Sequence, residues 1–159
     1  MIEIERKFLL KSFPIDMSVI DHDRRHILQG YLPGNLIIER VCSVETKSDR
    51  FFTRSIKVGT GISRLEIEEH IDETLFRQIW PLTRDLRVIK NRYRRYGEDG
   101  LLWELDTFLD RNLFLAEVEL KHEDEPVQIP AWLVNHIDKE VTNDPYFSNR
   151  QLAEKKAII

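Results

Sequence analysis

Five short segments of this chain carry two or three charged side chains at alternate positions: Glu3-Ile4-Glu5-Arg6-Lys7, Arg64-Leu65-Glu66-Ile67-Glu68, Lys90-Asn91-Arg92, Glu104-Leu105-Asp106 and Glu117-Val118-Glu119. In a β-strand alternate residues share a face, so each segment puts its charges on one side and apolar residues such as Ile4, Phe8, Leu65, Ile67 and Val118 on the other. One such strand is ordinary, because antiparallel sheets commonly turn a polar face to water. Five are not, because Glu and Asp are poor strand formers. A single shared charged interior accounts for them better than five separate exposed faces.

The rest of the chain supplies strands enough to enclose that interior. Ile27–Leu32 is followed by the turn Pro33-Gly34-Asn35, and Leu36–Val44 places Leu36, Ile38, Arg40 and Cys42 on one face. Phe51–Val58 groups Thr53, Ser55 and Lys57, and Gly59-Thr60-Gly61 joins it to the strand Ser63–Ile71. Arg87–Arg95, Leu101–Leu109 and Asn112–Lys121 complete a set of about eight strands. Asp72 is placed to cap a short helix with Leu75 and Ile79 four apart, ended near Pro81. Further helices are expected from Pro130 and from Ser148-Asn149-Arg150-Gln151, packed outside the sheet. Lys11–His26 reads as a surface connection with room for one short helix.

Closing about eight strands into a barrel removes every sheet edge and leaves room for one small ligand. The inward set would hold the acids Glu3, Glu5, Glu66, Glu68, Glu104, Asp106, Glu117 and Glu119 and the bases Lys7, Arg40, Lys57, Arg64, Lys90 and Arg92. That is an excess of acids in a confined space, where charges are costly unless paired or metal-bound. Carboxylate donors favour Mg²⁺ or Mn²⁺. The bases call for a multiply charged anion, and cationic clamps beside a metal suit phosphoryl transfer.

The 159 residues are enough for one core, and no Pro/Gly-rich linker divides them, so residues 1–159 read as a single domain of α+β class. A net charge of -4 offers no basic field for nucleic acid, and no apolar run approaches a membrane span. Charged residues begin at Glu3, unlike a secretory signal, and the lone Cys42 excludes an internal disulfide or a cysteine-rich zinc site; a reducing cytoplasm is the expected compartment. Walker, H-E-x-x-H and G-x-S-x-G motifs are missing. The five histidines (His22, His26, His70, His122, His136) show no ligand spacing, and Trp80, Trp103 and Trp132 read as packing residues.

On these residues the chain resembles the CYTH superfamily, the triphosphate tunnel metalloenzymes, along almost its whole length. The signature E-x-E-x-K is present as Glu3, Glu5 and Lys7, and Gln29-Gly30-Tyr31, Arg40, Lys57, Arg64 to Glu68, Lys90 to Tyr93, Glu104 to Asp106 and Glu117 to Glu119 follow in the family's order. The tail Val141-Thr142-Asn143-Asp144, with Tyr146, Asn149 and Leu152, is similar to that of small bacterial members. The resemblance implies an eight-stranded antiparallel closed β-barrel with helices outside, acids that bind Mg²⁺ or Mn²⁺, and bases that hold a triphosphate.

Glu3, Glu5, Glu117 and Glu119 are the expected main metal ligands, with Asp106 a further candidate. Lys7, Arg40, Lys57, Arg64, Lys90 and Arg92 are the expected phosphate ligands, and Glu66, Glu68 and Glu104 supporting acids. Lys7 or Tyr31 would assist the proton chemistry if neighbouring cations lowered its pKa. One departure stands out: where many members carry R-x-R on the third strand, this chain has Arg40-Val41-Cys42. The expected activity is metal-dependent hydrolysis of inorganic triphosphate or a related organic triphosphate. The alternatives are a class IV-like adenylyl cyclase, a non-catalytic triphosphate or polyphosphate-binding module, and an interaction scaffold with solvated charges. Nothing in the sequence specifies an oligomeric state.

Overall fold

The computed structural model describes residues 1–14 and 23–155, so the middle of the expected Lys11–His26 connection, with His22, lies outside the described residues. Eight antiparallel strands close on themselves: β1 (Ile2–Leu10), β2 (Arg25–Tyr31), β3 (Ile38–Glu45), β4 (Arg50–Val58), β5 (Ser63–Ile71), β6 (Arg87–Tyr96), β7 (Leu102–Phe108) and β8 (Phe114–Glu119). Their order is β5-β4-β3-β2-β6-β7-β8-β1, and the pairing of Ile2–Ile4 with Ser63–Leu65 joins β1 back to β5. A short β9 (Ile137–Glu140) takes the same edge of β1 further along, at Phe8–Leu10. At four residues it has too little alternation to be read from sequence.

Two apolar layers pad the outside of the barrel. Phe8, Leu10, Trp103, Leu105, Ala116 and Val118 pack under Leu133 of α2 (Ala131–Val134) and the loops around it. Val41 and Phe52 pack under Phe76 of α1 (Glu73–Ile79), whose cap is Asp72 with its Oδ1 2.7 Å from the Leu75 backbone nitrogen. Phe76, rather than Leu75, is the buried anchor of that helix, and Leu75 is exposed. Leu65 and Ile67 point outward as their parity requires, yet among the described residues no helix covers them: they are 41% and 54% exposed. Leu36 falls before β3, in the turn, and is exposed rather than inward-facing. Among the described residues no helix is long and apolar enough to cross a membrane.

The last helix, α3 (Asn149–Glu154), departs from expectation. Its Leu152 and Ala153 pack with Tyr31, Val88, Phe108 and Leu115, the inward-facing residues at one end of the barrel. There the strands' inner face turns from charged to apolar, and an apolar end must be covered from water. α3 therefore plugs the barrel instead of lying on its wall. Ser148 caps it, accepting a hydrogen bond from the Gln151 backbone N–H at 3.2 Å.

Gly30 sets how closely β2 meets the turn Trp80–Thr83. A Cβ there would overlap Thr83 Oγ1 and lie 2.8 Å from the Trp80 ring. Only glycine permits that approach, and the contact holds Gln29 and Tyr31, on either side of it, facing inward.

Candidate active site in the barrel lumen

The inward residues enclose a cavity of about 320 Å³ lined by seven carboxylates and eight basic side chains. Every expected site residue except Asp106 is in its wall: Glu3, Glu5, Lys7, Tyr31, Arg40, Lys57, Arg64, Glu66, Glu68, Lys90, Arg92, Glu104, Glu117 and Glu119. Alternation places them there because each strand contributes every second residue. Cross-strand register then decides which meet. Glu5 stands opposite Glu119, Lys7 opposite Glu117, Glu104 opposite Glu117 and Glu3 opposite Arg64.

Asp106 lies behind the wall, fully buried, with one oxygen 2.7 Å from Lys90 Nζ and a two-bond contact to Arg92 at 2.7 and 2.8 Å. Both its oxygens are committed, so its place is that of an anchor for two bases and not of a metal ligand. Arg92 also reaches Glu104 at 3.1 Å and Glu117 at 3.3 Å. On the opposite wall, Lys57 donates to Glu3 at 2.8 Å and Arg64 donates to Glu5 at 2.8 Å, while Arg40 lies between Glu66 and Glu68 at 3.3 and 3.5 Å.

The electrostatics divide the acids. Burial, with Glu117 and then Glu3 as like-charged neighbours, outweighs Lys7 and lifts the Glu5 carboxyl to about 7. Burial, Glu3 and Glu104 also raise Glu119. Glu117 is buried too, but Lys7 and Arg92 hold it well below the usual carboxylate range. Burial pushes the Tyr31 hydroxyl up, and Lys7 is raised because Glu117 and Glu5 outweigh the burial that opposes its charge. The expectation that neighbouring cations lower either group is not met. Lys7 stays a cation and Tyr31 a neutral phenol, its hydroxyl hydrogen-bonded to the Gln29 amide.

Two arginines missed in the sequence reading also line the lumen. Arg25 precedes Ile27 by one period of β2, so extending that strand two residues backward would have found it. Arg150 comes from α3, and no strand periodicity points to it. With them the expected acid excess disappears, and the case for a metal has to rest on local placement.

That placement fits a hard divalent cation. The donors available on β1 and β8 are all carboxylate oxygens, two of them, Glu5 and Glu119, directly opposed. Glu117 Oε1 is buried and lacks a hydrogen bond, although Lys7 Nζ lies 3.3 Å away at ion-pair range. Among the described residues no three such groups already converge as a metal cluster, each acid being drawn toward a base.

No family model matches the chain. It is 37% identical to a protein of Nitrosomonas europaea named inorganic triphosphatase, over 96% of this chain and 97% of that one. A protein of the same name from Acetivibrio thermocellus is 29% identical over 96% of this chain and 93% of its own. The crystal structure of the inorganic triphosphatase NE1496 superposes with a TM-score of 0.64 at 34% identity, covering 96% of this chain and 95% of that one.

Proposed function

Since the chain belongs to the CYTH superfamily of triphosphate tunnel proteins, we propose that it hydrolyses inorganic triphosphate or a related organic triphosphate in the lumen, with Mg²⁺ or Mn²⁺ as cofactor. The observation that carries this reading is the enclosure of seven carboxylates and eight bases around one small cavity. A surface scaffold would have no reason to turn them inward. A triphosphate brings several negative charges into a lumen whose own charges nearly cancel, so a divalent cation accompanying it removes a large electrostatic cost.

Glu3, Glu5, Glu117 and Glu119 would hold that cation, which when bound polarises a phosphoryl oxygen and neutralises developing charge. Arg40, Lys57, Arg64, Lys90 and Arg92 bind the phosphates, and Asp106 fixes the last two of these in place. Lys7, kept protonated by Glu117 and Glu5, is a phosphate ligand rather than a base. Tyr31, a buried neutral hydroxyl beside Gln29, orients the attacking water by hydrogen bonding. The enclosing barrel limits competing solvent. A single buried thiol and no disulfide suit a reducing cytoplasmic compartment.

Phosphate release from inorganic triphosphate, ATP and thiamine triphosphate, with Mg²⁺, with Mn²⁺ and with chelator, tests this reading. Release that needs a metal and favours one of these triphosphates is expected. Cyclic nucleotide formed from ATP would indicate the cyclase reaction, and tight triphosphate binding without release would indicate a binding module.

A further inference from the structure

One sector of the lumen wall is apolar. Ile27, Val44 and Phe51 are register partners across β2, β3 and β4, all facing inward, and the same row continues onto β6 at Lys90. Cys42 packs with them and lines the same cavity. With strands about 4.8 Å apart, the three residues span about 10 Å, room for one ring system. His70 on β5 meets the Phe51 ring edge-on, 5.7 Å between centres, and fixes its orientation. An arginine at position 42 would lay a long charged side chain against this strip. The thiol there is small and only weakly polar, and leaves the strip bare.

A poorly satisfied cation borders the strip. Arg25 is the inward residue next to Ile27 on β2 and stands opposite Arg92. The two acids whose charge reaches it are engaged elsewhere: Asp23 grips Arg94 with both oxygens, at 2.9 and 3.0 Å, and Glu104 lies 3.1 Å from Arg92. Arg25 Nε is buried with no hydrogen bond among the described residues, a costly state that an acceptor would relieve. Inorganic triphosphate is charged along its whole length, so it gains nothing from an apolar wall and leaves water against it. A neutral ring carrying acceptor atoms suits both features, because a guanidinium offers donors only. A cationic ring would be repelled by Arg25 and Arg92.

We propose that Ile27, Cys42, Val44 and Phe51, with Arg25 at their border, form a subsite for the neutral heterocyclic base of a nucleoside triphosphate, whose phosphates continue from the strip onto Lys90 and Arg92. The proposal rests on the triphosphatase reading and narrows its substrate to a triphosphate ester in preference to inorganic triphosphate. Phe51 supplies the ring face, Ile27 and Val44 the apolar floor, and Arg25 the donors for the base's acceptor atoms. Cys42 sets the specificity by leaving that floor uncovered.

The test compares kcat/KM for ATP, methyl triphosphate, thiamine triphosphate and inorganic triphosphate, with Mg²⁺, on wild type, Phe51→Ala and Cys42→Arg. Methyl triphosphate is an ester without a ring, so the ratio of ATP to methyl triphosphate reads the subsite alone. Stacking one base on an aromatic side chain corresponds to roughly a five- to hundredfold gain. Wild type should favour ATP over methyl triphosphate by about that factor, and over thiamine triphosphate and inorganic triphosphate as well. Phe51→Ala should bring the ATP to methyl triphosphate ratio close to one, and Cys42→Arg should shift preference from ATP toward inorganic triphosphate. A wild-type ratio of one, or a wild-type ratio kept in Phe51→Ala, overturns the proposal. So does a Cys42→Arg protein that favours ATP over inorganic triphosphate as strongly as wild type, or a wild type that prefers thiamine triphosphate or inorganic triphosphate to ATP. If Phe51→Ala does not fold, Phe51→Leu, which keeps an apolar side chain and removes the ring, decides by the same ratio. A wild type that binds these compounds without releasing phosphate overturns the hydrolytic reading instead, and calorimetric Kd ratios for the same compounds then decide the subsite.

Discussion

Glu5 on β1 and Glu119 on β8 are direct register partners, two carboxylates facing one another across the lumen wall. Like charges placed opposite each other weaken a sheet. Burial, and then the nearby Glu117 carboxylate, also make Glu5 hard to ionise, with a pKa of about 7. The folded state therefore keeps a proton that the unfolded chain releases near 4.5. Stability without metal must fall as pH rises across that window. Glu3, Glu117 and Asp106 are shifted the other way, so their stabilisation is lost at lower pH, outside it. Metal-free Glu5→Gln should melt higher than wild type at pH 8 and about equally at pH 4.5, and should lose most of the stabilisation that Mn²⁺ gives wild type. Thermal melts with and without metal check this; equal destabilisation at both pH values would refute it.

Behind the lumen wall, Lys90 and Asp106 form the most deeply buried ion pair among the described residues, 2.7 Å apart and almost wholly shielded from solvent. Removing one partner leaves the other as an uncompensated buried charge, typically at a cost of about 3–5 kcal/mol. Asp106→Ala should lose that much stability in urea titration, whereas Glu119→Gln, at the end of β8 and exposed, should lose less than about 1 kcal/mol. A small effect of Asp106→Ala would mean that Lys90 sheds its proton there, a change that burial already favours.

Gly30→Ala would force its new methyl against Thr83 and Trp80. Overpacking of this kind costs about 1–3 kcal/mol. Because the neighbours Gln29 and Tyr31 are held inward by the same contact, the variant should also raise KM for triphosphate. Kinetics together with a melting curve separate the two effects; a lowered melting temperature with wild-type kinetics would limit Gly30 to packing.

Tyr31→Phe keeps the ring that packs against the plug and removes only the hydroxyl bonded to Gln29. Folding should be retained and kcat should drop by roughly tenfold or more, as expected when a positioning hydrogen bond is lost. Because the phenol is raised by burial, no rate step near neutral pH should disappear with it. Wild-type turnover in the folded variant would take Tyr31 out of the mechanism.

The alternation in β1, β5, β6, β7 and β8 is a local property, set by the pleat of each strand, so the order of residues was enough to put Glu3, Glu5 and Lys7, or Glu117 and Glu119, on one face. The caps Asp72 and Ser148 were legible for the same reason, since a cap bonds to backbone only three residues away. Asp106 shows where that reach ends: parity put it inward, but only the approach of β6 to β7 buried it behind Lys90 and Arg92. Register and closure are relations between distant segments, and they come into being only with the assembled fold. They set Glu5 against Glu119, left Leu65 and Ile67 uncovered, and carried Arg150 from a tail helix into the lumen. The apolar end of the barrel is the physical cause of that last step: no single strand reveals it, and once eight strands have closed, α3 is what buries it.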